Sequence, residues 1–121
     1  MNTTSKHGCI DNIELAVSDI ERSKAFYGQV FGWKFKTYGP RYCEFSDGRL
    51  FGGLTTLSEV RSSGGPLIII YTENLLETLK AVRSAGATII KPIFSFPGGR
   101  RFHFIDLDGY ELAVWSDDEV Q

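Results

Sequence analysis

The chain states one pattern twice. Asn12-Ile13-Glu14-Leu15-Ala16-Val17-Ser18-Asp19 opens the first half and leads into a helix-like run that stops at Phe31-Gly32. Leu67-Ile68-Ile69-Ile70-Tyr71-Thr72-Glu73-Asn74 opens the second half and leads into a run that stops at Ala85-Gly86. Strand-like segments follow in each half, one turning at Asp47-Gly48 and the other at Asp108-Gly109. A repeat of about 54 residues implies two modules sharing a core, and such chains place a site where the modules meet. Residue identity between the halves is thin, so what repeats is the pattern.

Residues 11–17 alternate, with Ile13, Leu15 and Val17 on one face and Asn12, Glu14 and Ala16 on the other, which predicts a half-buried strand. Ser18-Asp19-Ile20-Glu21 spells a capping box with the Ser18 hydroxyl as cap, and Ile20, Phe26, Tyr27, Val30 and Phe31 recur at helical spacing up to Gly32. Three strands are expected over 33–38, 42–46 and 50–56, separated by Gly39-Pro40 and Asp47-Gly48. Residues 58–65 form a linker. The second half runs through a strand at 67–71, an Asn74-capped helix with a stripe of Leu75, Leu76, Leu79 and Val82, and a strand over 88–96. Pro92 must interrupt that strand or confine it to an edge. A hairpin over 101–115 turns at Leu107-Asp108-Gly109, and Pro97-Gly98-Gly99-Arg100-Arg101 reads as a mobile turn at the rim of the site. The fold class is therefore α+β, two βαβββ modules (about 10–57 and 66–116) in one domain. Each helix covers the outer face of its sheet, and two curved sheets set edge to edge would enclose a cup.

Composition narrows the function. The chain has 121 residues, 42% hydrophobic, enough for a real core. Its net charge of −2, with 13 basic residues scattered along the chain, argues against nucleic acid and anionic membrane surfaces. No apolar run approaches the roughly 20 residues that cross a bilayer, and no apolar leader is read at the start. Cys9 and Cys43 are read as reduced thiols of a cytoplasmic protein.

The repeat, the run from Val17-Ser18-Asp19-Ile20-Glu21-Arg22-Ser23 through Phe26-Tyr27 to Phe31-Gly32-Trp33, and Asp106-Leu107-Asp108-Gly109-Tyr110-Glu111-Leu112 resemble the vicinal oxygen chelate superfamily. That superfamily includes glyoxalase I, bleomycin and fosfomycin resistance proteins and extradiol dioxygenases, and the likeness spans residues 10 to 116. The resemblance implies the cup. It also implies, for the enzymes, a divalent metal held by His, Glu or Gln on the first and last strands of each module. Carried over one at a time, those positions fall on Asn12, on Gly52 or Gly53, on Leu67 and on Ala113. An amide, a glycine, a leucine and an alanine are not the three donors a catalytic metal needs. The expectation is a protein with no cofactor and no metal.

Alternation turns Asn12, Glu14, Tyr42 and Glu44 of the first module, and Arg101, His103, Glu111 and Trp115 of the second, towards the cup. Trp115 and Tyr42 would stack on a planar, mildly polar metabolite or drug, and Arg101 would pair with its carboxylate. The other reading is that these groups satisfy one another, with Glu14 in an ion pair. Two function classes stay open: a metal-free binding module, and a metal-dependent lyase or dioxygenase using Glu14, Glu44, His103 and Glu111 in unusual roles. A homodimer is expected, with Trp33, Phe35, Phe51 and Leu54 as candidate interface surface.

Overall fold

A computed structural model describes residues 5–117. The chain divides between Val60 and Arg61 into two compact units. The first contains β1 (Asn12–Ala16), α1 (Ile20–Phe31), β2 (Lys34–Thr37), β3 (Tyr42–Ser46) and β4 (Phe51–Thr55). The second contains β5 (Ile68–Tyr71), α2 (Leu75–Ser84), β6 (Thr88–Phe96), β7 (Gly99–Ile105) and β8 (Glu111–Ser116). The sheets have the same topology, β1-β4-β3-β2 and β5-β8-β7-β6, each with its first strand parallel to its last and the other pairs antiparallel. The repeated α+β pattern expected from sequence is thus present. Among the described residues no helix is long and apolar enough to cross a membrane.

Local chemistry explains where the elements start and stop. The cap of α1 is Asp19, not Ser18: its carboxylate accepts from the Arg22 N–H at 3.0 Å, while the Ser18 hydroxyl accepts from the Arg22 guanidinium at 2.9 Å. A carboxylate at a helix N-terminus gains from the backbone dipole as well as from the hydrogen bond, which favours Asp over Ser there. Gly32, at φ 73°, closes the helix in the left-handed region that costs glycine nothing. Asn74 caps α2 by accepting from the Glu77 N–H at 3.1 Å. The turn after Phe96 is shorter than expected. Pro97-Gly98 is a two-residue hairpin closing Phe96 against Gly99, so Gly99, Arg100 and Arg101 already belong to β7.

In the first unit Trp33 stacks on Tyr27 of α1 at 4.5 Å and on Phe45 of β3 at 4.4 Å, fixing the helix to one face of the sheet. This corrects the interface expectation. Trp33 is 8% exposed and Leu54 0%, so both are core of their own unit. In the second unit Phe102, Phe104, Leu112 and Val114 are buried on one face of β7 and β8, and α2 buries Leu75, Leu79 and Val82. Burial of each such side chain contributes about 1.5–3 kcal/mol. The strands' other alternates face away from the helices and mix polar with aromatic side chains.

Candidate functional site

On the helix-free face of the first sheet, strand register lines up Glu14, Gly53, Glu44 and Lys36 in one row across β1, β4, β3 and β2. Asn12 is exposed one step away, opposite Phe51. Tyr42 stands in the next row, opposite Thr55, and leans over Gly53 so that its hydroxyl donates to Glu14 at 3.1 Å. Its phenol is held above the ordinary 10.0, first by burial, then by the hydrogen bond and charge of Glu14, with Glu44 adding to the effect. Tyr42 is thus a hydrogen-bond partner of Glu14.

The second sheet repeats the geometry with different chemistry. One row reads Ile69, Ala113, His103, Lys91, and the next reads Tyr71, Trp115, Arg101, Phe94. His103 is 2% exposed, and its Nδ1 lies 2.7 Å from Glu111 Oε2. Its Nε2 is buried and has no hydrogen-bond partner among the described residues. Arg101 places its guanidinium 5.5 Å from the Phe94 ring and 5.6 Å from the Phe96 ring, within cation–π range, and its Nε is likewise buried and unpartnered. Trp115 meets Tyr71 edge-on at 5.2 Å and Phe96 at 6.2 Å.

Four of the eight residues expected to line the site therefore share one face of the first sheet, and the other four share one face of the second. Sequence reasoning missed Phe94, Phe96 and Tyr71. The register of β6 shifts twice, before and after Lys91, and the two shifts cancel, so Phe94 and Phe96 share the face of Thr88 and stand beside Arg101. Tyr71 follows from alternation once the face of Trp115 is known.

The positions at which the superfamily's enzymes hold metal carry few donors here. A Cβ on Gly53 would stand 2.2 Å from the Tyr42 hydroxyl, and one on Gly52 would stand 2.2 Å from the Phe45 ring and 2.3 Å from the Ile13 carbonyl oxygen. Ala113 has no side-chain donor, Leu67 is apolar, and Asn12 offers one neutral amide. Among the described residues no three His, Cys, Asp or Glu side chains converge. This set does not suit a divalent ion, whose protein ligands number about three or more.

Repeated βαβββ units, with polar residues facing away from the helices, define a class of fold. The chain belongs to the Glyoxalase/Bleomycin resistance protein/Dioxygenase superfamily, whose family model matches residues 9–114. A glyoxylase-like domain-containing protein of Didymella fabae is 28% identical over 122 residues, covering 89% of this chain and 93% of its own. The crystal structure of TioX from Micromonospora sp. ML1 superposes with a TM-score of 0.72 at 24% identity, over 92% of this chain and 100% of TioX. A mutant of the fosfomycin resistance protein FosX of Listeria monocytogenes, complexed with Mn(II) and 1S,2S-dihydroxypropylphosphonic acid, superposes with a TM-score of 0.78 at 18% identity. That match covers 91% of this chain and 90% of FosX. The two structural likenesses are likenesses of fold.

Proposed function

We propose that this protein is a small-molecule-binding member of the superfamily that works without a metal at the family's usual positions. Its ligand is a planar, mildly polar molecule received on the helix-free face of the second unit. The observation that carries this reading is Arg101. A guanidinium held between Phe94 and Phe96, with a buried donor left unpartnered and Trp115 beside it, is a ready partner for an anionic group on an aromatic frame. The metal-free part is supported by β4, where a donor side chain at 52 or 53 would need a Cβ in space already occupied. Asn12, Glu14, Tyr42 and Glu44 form a second polar patch on the first unit that can bind polar groups.

The competing reading is a metal-dependent lyase or dioxygenase, favoured by the Mn(II) in the FosX complex. Equilibration with manganese, nickel, zinc or ferrous iron, dialysis and metal analysis separates the two. The proposal expects no stoichiometric metal, and retention of one ion per chain rejects it. A thermal-shift screen should show stabilisation by planar aromatic acids, lost in Trp115→Ala and Arg101→Ala, and none by phosphosugars or fatty acids. The protein is further proposed to be a cytoplasmic homodimer. Its free thiols, Cys9 and Cys43, suit a reducing compartment, and Leu67, Ile69 and Tyr71 offer apolar surface for a second copy.

A further inference from the structure

We infer that the second unit selects a planar acid that also carries a hydrogen-bond donor about one ring-length from its carboxylate, because Glu111 holds His103 in the tautomer whose Nε2 accepts. This rests on the binding face proposed above and names the ligand class it takes. An ionised carboxylate only accepts, so the 2.7 Å contact requires the proton to sit on His103 Nδ1. In the neutral ring Nε2 is then a bare lone pair. That atom is buried and unpartnered, whereas buried polar atoms ordinarily find a partner.

The surroundings specify what kind of donor meets it. Arg101 lies two residues along β7 on the same face, a backbone spacing of about 6.7 Å at the usual strand rise, with its own unpartnered Nε. Phe94 flanks both, 5.5 Å from the Arg101 guanidinium and 5.8 Å from the His103 ring. Ala113, opposite His103, adds only a methyl group to that row. One anion-seeking group and one donor-seeking group, spaced across an aromatic wall, match an aryl acid with a hydroxyl on the far side of its ring. Glu111 touches only His103 in this scheme and is a positioning residue.

Calorimetric titration of the intact protein with para-hydroxybenzoate, meta-hydroxybenzoate, benzoate and para-methoxybenzoate tests this. One hydroxybenzoate should bind at least tenfold more tightly than benzoate and methoxybenzoate. Glu111→Gln, which can present its amide N–H to Nδ1 and release the tautomer, should shrink that ratio. His103→Phe should abolish the ratio. If hydroxy and methoxy acids bind alike, as they would were Nε2 merely holding a water, the inference is overturned and the proposed binding face survives. If Glu111→Gln leaves the ratio intact, Glu111 does not set the tautomer and the inference fails on that ground. If none of the four acids binds, the inference fails, and the thermal-shift screen alone judges the proposed function.

Discussion

The Tyr42 hydroxyl occupies the place that the side chain of any larger residue at position 53 would need, 2.2 Å from a Cβ built on Gly53. The same hydroxyl donates to Glu14, so a glycine on β4 and a carboxylate on β1 are joined through one phenol. Gly52 is blocked differently, by the Ile13 carbonyl at 2.3 Å as well as the Phe45 ring. A half-buried tyrosine can swing aside and a strand backbone cannot. Gly53→Ala should therefore cost about 1 kcal/mol, and Gly52→Ala about 3 kcal/mol or more, both by overpacking. Urea unfolding of the two variants at neutral pH checks the order. Gly53→Ala and Tyr42→Phe should also be non-additive, since each breaks the same Glu14 contact. Equal losses at 52 and 53 would mean that Tyr42 is as immovable as β1.

Tyr42 also predicts a pH dependence. Its phenol is raised above 10.0 by burial and by Glu14, so the folded chain holds that proton more tightly than the unfolded chain does. The resulting stability is fully present below about pH 10 and is lost as the pH climbs through the raised folded value. Thermal melts between pH 9 and 12 should thus show a loss for the wild type that is smaller in Tyr42→Phe. A spectroscopic phenolate titration should find one tyrosine ionising late. Wild-type and Tyr42→Phe curves that stay parallel throughout would refute the assignment.

The two thiols should differ sharply in reactivity. Cys43 is 0% exposed and its thiol is pushed up, chiefly by burial, whereas Cys9 is exposed. Thiolate is the reacting species, so both accessibility and protonation slow Cys43. A chromogenic disulfide reagent should label one thiol per chain quickly and the second only at the rate of unfolding, with both reacting at once in denaturant. Fast labelling of both in the native protein would show that the first unit's core opens readily.

Most of the fold could be read because its signals are local. Tyr42–Ser46 and Thr88–Phe96 stand where alternation and turn residues put them, and the Phe102, Phe104 face was correctly separated from the Arg101, His103 face. Local signals fail where geometry is set from outside the segment. The register shifts around Pro92 bring Lys91 into the row of His103, out of step with Thr88, and no count along β6 reveals it. Trp33 reads as surface in the sequence because nothing in its own neighbourhood says that Tyr27 and Phe45 close on its ring. The partnership of Tyr42 with Glu14 spans 28 residues and depends on Gly53 between them, a relation that exists only once β1, β4 and β3 are side by side.

With Trp33 and Leu54 assigned to the core, a dimer must use surface other than those two residues. Leu67, Ile69 and Tyr71 remain 37%, 46% and 49% exposed, and the latter two lie on β5, an edge strand of its sheet. An edge strand leaves backbone donors and acceptors unpaired within the sheet, and apolar side chains beside it favour covering by another chain. A two-fold interface would set this strip against itself in a second copy, burying both apolar rows at once. Sedimentation equilibrium at micromolar concentration should give twice the 13.5 kDa chain mass. Ile69→Glu should shift the protein to monomer, because each copy would bring a carboxylate into a drying apolar contact at a cost of several kcal/mol. Ile69 lies opposite Ala113 in the row that carries His103, so the same variant also reports on the candidate site. If the monomer binds aryl acids as the dimer does, the partner plays no part in recognition. A wild-type protein that sediments at 13.5 kDa up to high micromolar concentration removes the dimer altogether.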